Sequence, residues 1–205
     1  MRTNTRKISG VAGVSLALLL AMTSGARLAH GQAQHVRWDI VRLSLPGATV
    51  NSGGQASAKD NLLPVADTMT LTGSGTFVAP AGGGGTSSAV TGGGVWTLTT
   101  PTGTSSGMYE VTGLVRWEEA PGTFPGTADN IGDPANFRAG LAVLRIAYTD
   151  GSHGILVVSC HGAGTPDTAF EGITVSKDFV DYWNRVAPTG TPATANANRT
   201  AFHLE

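Results

Sequence analysis

The chain has little charge of either sign, and this excludes several classes of partner. Only 13% of its 205 residues are Asp, Glu, Lys or Arg, and its formal net charge is −1. Ordinary globular proteins have about 25% charged residues, and nucleic-acid-binding domains carry a clustered basic surface. The sequence also contains no run of Lys and Arg of the kind that binds anionic lipid headgroups. We therefore expect no nucleic-acid partner and no electrostatic docking on a membrane.

Cysteine is nearly absent. Cys160 is the single cysteine, so an internal disulfide is excluded. It is a buried thiol, an intermolecular link or a reactive group. A catalytic pair with the adjacent His161 is disfavoured, because successive residues of a strand point to opposite faces. The chain also lacks G-x-S-x-G, H-E-x-x-H and a phosphate-binding glycine loop, and we expect no cofactor.

The N-terminal residues have the layout of a secretory signal peptide. Basic residues precede the apolar run V-S-L-A-L-L-L-A-M at 14–22, and small residues then offer cleavage sites after Ala26 or Ala33. The run is shorter than the roughly 20 apolar residues of a membrane-spanning helix. We therefore predict that residues 1–33 are a signal peptide and that the protein is exported, either periplasmic or extracellular, without a membrane span.

Residues 34–205 have the pattern of a single all-β domain. Gly is abundant at 29 residues, and several runs alternate apolar with polar residues, as half-buried strands do. The last run, 200–204, is expected to pair with the first, 36–45, and so to remove a free sheet edge. We predict a single-domain antiparallel β-barrel, with a β-sandwich as the alternative. Other predicted strands are 68–78, 95–99, 108–118 and a hairpin over 136–162.

Two loops and one helix complete the predicted domain. The Gly- and Ser-rich segment 79–94 and the Pro/Ala/Thr/Asn segment 187–197 are predicted loops. Ser176 is a plausible N-cap for a short C-terminal helix over 177–185. That helix would bury three apolar side chains, those of Phe179, Val180 and Trp183.

The hairpin contains the candidate ligand-binding residues. Asp150-Gly151 between apolar runs predicts a two-residue turn, and counting from it places Gly140 opposite His161. Small residues there would leave a recess for a ligand beside the histidine; the alternative is a strand-end histidine packed against glycine. The same count makes both faces of the hairpin apolar and covered. The candidate residues are His161, Ser159, Tyr148 and His153.

A second candidate site lies in the loop before the hairpin. Asp129, Asn130 and Asp133 place three oxygen-bearing side chains within a Gly/Pro-rich segment, and calcium takes 6–8 oxygen ligands. The spacing differs from the twelve-residue calcium loop, and Asp and Asn are also ordinary turn residues. Both interpretations stay open.

Several segments carry a resemblance to known proteins. Four of them resemble a group of exported bacterial proteins without an assigned function, which implies export and a single domain. The segment G-S-G-T-F at 73–77 resembles the allene oxide cyclase and dirigent β-barrels, which guide cyclisation or coupling of small apolar molecules inside a barrel cavity. The four segments are G-L-V-R-W-E-E-A-P-G (113–122), D-N-I-G-D-P (129–134), V-V-S-C-H-G (157–162) and E-G-I-T-V-S-K-D-F-V-D-Y-W-N-R (171–185).

Three functions are compatible with this sequence. The first is a non-catalytic exported β-domain that binds a small apolar or amphipathic molecule or has a structural role. The second is a cavity-type enzyme, similar to an isomerase or cyclase, with His161 and Ser159 as polar contacts. The third is a protein-interaction module that uses the Gly/Ser loops. Binder and enzyme predict a cavity beside His161, whereas the interaction module predicts a filled core with an exposed apolar patch.

Overall fold

A computed structural model describes residues 33–44, 48–62, 64–81, 84–126, 128–189 and 197–205. The predicted signal peptide lies outside these residues apart from Ala33, and the predicted loop 187–197 is described only at its two ends. The described strands are β1 (Gln34–Ser44), β2 (Thr49–Asn51), β3 (Ala56–Lys59), β4 (Thr68–Leu71), β5 (Ser74–Ala79), β6 (Val90–Thr100), β7 (Gly103–Ala120), β8 (Phe137–Tyr148), β9 (His153–Cys160), β10 (Gly172–Lys177), β11 (Val180–Tyr182), β12 (Asn184–Arg185) and β13 (Arg199–Leu204).

Six antiparallel strands close into a barrel. β1 pairs with β5 and β13, β6 joins β5 to β7, and β8 joins β7 to β13. The closing pair sets Phe202 of β13 against Trp38 of β1 and Arg138 of β8. The barrel prediction and the pairing of the last strand with the first are therefore confirmed. The remaining strands extend this sheet: β9, β10 and β11 continue from β8, and β4, β3 and β12 continue from β6.

Aromatic side chains fill the centre of the barrel. The rings of Trp117 and Phe202 lie 4.7 Å apart, and those of Phe77 and Trp117 lie 5.4 Å apart. Trp38, Phe77 and Phe202 are at most 1% exposed. Such tilted and edge-to-face ring pairs add to the free energy gained by burying apolar surface.

Gly73 allows the side chain of Tyr109 to pack closely against the backbone between β4 and β5. Gly73 lies between β4 and β5, and its φ is +154°. A Cβ atom at this position would lie 2.3 Å from the hydroxyl oxygen of Tyr109. That hydroxyl donates to the carbonyl of Thr72 at 2.8 Å. Only glycine fits a backbone approached this closely.

Two irregularities in β7 change which side chains face the core. The register against β8 shifts between Val111 and Gly113 and again between Leu114 and Arg116. As a result Leu114, which simple alternation from Glu110 and Thr112 would place on the solvent face, is fully buried. The predicted loop 79–94 is shorter than expected, because β5 ends at Ala79 and β6 begins at Val90. Its Ser87 exchanges two backbone hydrogen bonds with Leu114, of 2.8 and 3.0 Å.

The β8–β9 hairpin is present, but its predicted register was wrong by one residue. Tyr148 and Ser152 close a three-residue turn, since the Tyr148 N–H donates to the Ser152 carbonyl. Gly151 supplies the positive φ that such a turn requires. Gly140 therefore lies opposite Cys160, and His161 follows the end of β9. The outer face is also less covered than expected, because Arg145 and Ile155 are exposed.

The predicted C-terminal helix was wrong. Residues 172–182 form the β10–β11 hairpin, with Lys177 opposite Val180 and Asp178 in a left-handed turn at φ +54°. Ser176 caps no helix; its hydroxyl accepts the N–H of Ile155. Pairing of β10 with β9 outweighs a weak local helix signal in a run rich in Phe, Val, Tyr and Trp. Phe179 and Trp183, expected to be buried, are exposed.

No helix in the described ranges is long and apolar enough to cross a membrane.

Candidate functional site

A second, smaller apolar cluster lies on the outside of the barrel, and we call it the outer core. It consists of Val41, Leu43, Val50 and Ala201, with Phe124 packed against it. The cluster forms because β1 is apolar on both faces near its end. Ile40 belongs to the barrel core, so its neighbour Val41 must point outward, where β2 and the loop after β7 cover it.

A cavity of about 190 Å³ opens beside the outer core. Apolar side chains form most of its wall, and four polar or ionisable residues at the ends of β9, β10 and β13 form the rest. This cavity is the candidate site. Its lining residues are Val41, Leu43, Ala48, Val50, Phe124, Pro125, Gly126, Phe137, Cys160, His161, Glu171, Arg199, Thr200 and Ala201.

Glu171 is the most tightly held polar side chain of the cavity. Its Oε2 accepts the backbone N–H of His161 at 2.7 Å, and its Oε1 accepts the N–H of Thr200 at 2.6 Å. The carboxyl group thereby links the end of β9 to the start of β13, which share no ladder of their own in the described ranges. Burial raises the pKa of Glu171 to about 7, against the two N–H donors and Arg199, which lower it. The group therefore changes its protonation near neutral pH.

Arg199 is the one Lys or Arg side chain among the cavity-lining residues. Its Nε is buried and has no hydrogen-bond partner, and its guanidinium makes no ion pair within the described part of the chain. A buried donor without an acceptor is costly, by about 1–3 kcal/mol. Arg199 is thus a cation with unused hydrogen-bonding capacity at the wall of an apolar cavity.

Cys160 contributes a sulfur atom to the same wall. It is free and 2% exposed. Burial, reinforced by the nearby Glu171, raises the pKa of its thiol well above the usual value. A thiol with a raised pKa is a poor nucleophile, because the thiolate is the reactive form. Of the three alternatives for this residue, its environment fits a buried, unreactive thiol.

The structure brings only one of the four candidate ligand-binding residues to the cavity. His161 lines it. Ser159 is fully buried and donates its hydroxyl to the carbonyl of Phe170 at 2.7 Å. Tyr148 is buried at the other end of β8, where its hydroxyl donates to the carbonyl of Ser176, and His153 is exposed opposite Ala147.

The three calcium candidates have separate partners. Asp129 accepts two backbone N–H groups through Oδ1, and its Oδ2 lies 2.7 Å from Nε2 of His203. Asn130 donates to the side chain of Asn51, and Asp133 caps the short 3₁₀ turn that follows it. Across the described ranges no three His, Cys, Asp or Glu side chains form a group that could hold a metal ion. The backbone contacts of Asp129 and Asp133 are those of ordinary turn residues, and the second oxygen of Asp129 pairs with His203.

Sequence reasoning missed Glu171 and Arg199. Neither lies in a catalytic or ligand-binding motif, and the backbone N–H that donates to Glu171 belongs to Thr200, 29 residues away along the chain. The one signal present was the position of Arg199 at the start of an alternating strand. No protein-family model, curated protein or solved structure is significantly similar to this chain.

Proposed function

We propose that this protein is an exported, single-domain β-barrel that binds a small amphipathic molecule in the cavity beside His161. The observation that carries the proposal is an apolar cavity with ionisable side chains at one wall. Ligand sites are commonly concave and apolar with a few polar groups that orient the ligand. At the barrel centre, by contrast, the described aromatic side chains pack against each other.

The volume bounds the size of the ligand. A cavity of about 190 Å³ equals the liquid volume of about six water molecules. It therefore suits a compound of about eight to ten non-hydrogen atoms and falls below the 300–1,000 Å³ typical of drug-sized ligands.

Native mass spectrometry of the protein, exported from a bacterial host, tests this function. We expect an added mass that is lost on denaturation. Ala201→Leu, which extends a side chain into the cavity, should abolish the added mass, whereas Thr112→Leu, a comparable enlargement at an exposed strand position, should retain it. A chain without added mass, or one whose added mass survives Ala201→Leu, contradicts the proposal.

The enzyme alternative loses one of its two residues, because the Ser159 hydroxyl is committed to a backbone carbonyl. His161 still lines the cavity, and Glu171 adds a carboxyl group that can give or take a proton near pH 7. Both of its oxygens already accept backbone N–H groups, which suits a structural bridge better than a proton shuttle. Binding without chemistry therefore stays the leading function.

A second candidate function, self-association, rests on a separate observation. Phe179 is fully exposed and Trp183 is 63% exposed, and both flank β11, whose outer edge is unpaired in the described part of the chain. An open edge beside exposed rings can pair with the same edge of a second copy. Light scattering should then give a dimer that Trp183→Ser dissociates. A monomer at all accessible concentrations overturns this candidate.

A further inference from the structure

Arg199 indicates the charge of the ligand, whereas the shape of the cavity indicates only its size. Its guanidinium stands at an apolar wall formed by Val41, Leu43 and Ala201, without an ion pair in the described ranges, and its Nε is buried and unpartnered. The planar guanidinium of arginine forms its strongest hydrogen bonds with acceptors that have two oxygens in one plane, and carboxylates are such acceptors. A ligand that brings an anionic oxygen to the guanidinium of Arg199 would pair a cation that lines the cavity and has no ion pair in the described ranges.

We propose that the cavity is specific for small monocarboxylates, with the carboxylate on Arg199 and the apolar body between Leu43, Val50 and Phe124. This inference rests on the proposed binding function and names its ligand class. The apolar walls disfavour fully hydrophilic anions, because a phosphate or sulfate ion would leave those walls without a partner. The volume disfavours long acyl chains.

Glu171 makes such binding dependent on pH. It faces Cys160 and His161 from the end of β9 and Arg199 from β13, and its own backbone carbonyl accepts from Arg185. While the Glu171 carboxyl is protonated, the charge of Arg199 is available to a ligand. Once Glu171 ionises, its negative charge opposes a second carboxylate in the same cavity. Binding should therefore weaken as the pH rises through about 7, where Glu171 titrates.

Isosteric pairs of probes test the ligand class on the unmodified protein. Benzoate and benzamide share shape and size, as do hexanoate and hexanamide, and only the acids are ionised between pH 6 and 8. Titrations followed by protein NMR at pH 6 should place the shifted resonances at Ala201, His161 and Phe124. We expect each acid to bind at least tenfold more tightly than its amide, and inorganic phosphate not to shift these resonances.

The outcomes separate this inference from the proposed function. If acids and amides bind equally at these residues, the carboxylate preference is overturned while the binding function stands. If none of the four probes shifts the cavity resonances, the carboxylate inference is overturned, and the added mass in native mass spectrometry decides the binding function separately. If phosphate binds as tightly as benzoate, the site is a general anion site and the inference is wrong.

Two variants identify the groups responsible. Arg199→Met keeps the apolar stem and should remove the preference for benzoate while retaining benzamide binding. Glu171→Gln should bind benzoate with little change between pH 6 and 8, whereas the unmodified protein should lose affinity by about tenfold per pH unit above 7. A pH dependence that survives Glu171→Gln, or a benzoate preference that survives Arg199→Met, contradicts the assigned roles.

Discussion

The barrel core and the outer core are built from the same kind of strand residue but differ in what else they bury. The barrel core contains the interlocking rings of Trp117, Phe77 and Phe202, and its unpartnered buried polar atoms are neutral indole N–H groups. The outer core has four buried residues, a cavity of about 190 Å³ and several ionisable groups at its wall, among them Glu171 and Arg199. One cluster is dense and uncharged, and the other is loosely filled and can change its charge.

This difference separates stability from function within one fold. Dense packing contributes most of the free energy of folding, because protein interiors reach the density of organic crystals. A cavity next to a buried carboxyl group lowers stability. The molecule tolerates that arrangement outside the barrel, where closure does not depend on it. Mutations in the two clusters should therefore differ in size and in pH dependence.

Removing an aromatic ring from the barrel core should have the largest effect. Phe202→Ala deletes a fully buried ring that contacts Trp117 and Phe77, and we expect a loss of about 3–5 kcal/mol in the free energy of unfolding. Urea denaturation measures it, with Val95→Ala at an exposed position as the control, expected within about 0.5 kcal/mol of the unmodified protein. A loss below 1 kcal/mol at Phe202 would mean that the barrel centre is not tightly packed.

The carboxyl group of Glu171 should make stability depend on pH. Its pKa in the folded protein, about 7, exceeds its usual value of 4.5, so the folded state binds the proton more tightly. Its contribution is then fully present below about pH 4.5 and is lost as the pH rises through 7. The shift corresponds to about 3 kcal/mol.

The measurement is the difference in unfolding free energy between the unmodified protein and Glu171→Gln at several pH values. The other titrating groups contribute equally to the unfolding free energy of both proteins, so their contributions cancel in this difference. At pH 5 the variant should be the less stable, because its amide nitrogen cannot accept one of the two backbone N–H groups. By pH 8 the gap should close or change sign. A difference independent of pH between 5 and 8 would show that Glu171 does not titrate in this range.

The sequence predicts closure of the barrel well because closure depends on alternation. Thr200, Phe202 and Leu204 share one face, and that pattern survives any small error in where the strand begins. The hairpin register failed for the opposite reason. It depends on the number of residues in one turn, and Thr149 in that turn adds the residue that moves Gly140 from His161 to Cys160.

The candidate site was predictable only in part. His161 was found because a small residue was expected opposite it, although the register behind that expectation was wrong. Glu171 and Arg199 line the same cavity because barrel closure brings β13 beside the end of β9. No local sequence pattern predicts this long-range proximity. The loss of the predicted helix at 177–185 has the same origin, since pairing with β9 decides the conformation there.

Truncating the outer core should cost less than truncating the barrel core. Leu43→Ala removes a side chain that is 9% exposed and already borders the cavity. Its environment can relax and admit water, so we expect a loss of about 2 kcal/mol, at the lower end of the values for Leu→Ala. Urea denaturation of Leu43→Ala and Phe202→Ala under the same conditions compares the two losses in unfolding free energy. Equal losses would contradict the distinction between the clusters. The same variant enlarges the cavity and should weaken benzoate binding.

Replacing Arg199 should have the smallest effect on stability at low pH. Its Nε has no acceptor, so Arg199→Met removes an unsatisfied buried donor while keeping the apolar stem. At pH 5.5, where Glu171 is protonated, we expect a change of no more than about 1 kcal/mol in either direction. At pH 8 the variant should be less stable, because Arg199 lowers the pKa of Glu171 and its removal takes away a cation that favours the ionised carboxylate.

The double variant Arg199→Met, Glu171→Gln is the control for this coupling. Once Glu171 cannot ionise, removing Arg199 should have the same small effect at pH 5.5 and at pH 8. Urea denaturation of the four proteins at both pH values completes the cycle. If Arg199→Met costs the same at both pH values in the presence of Glu171, the two groups do not interact, and the outer core would then differ from the barrel core in packing alone.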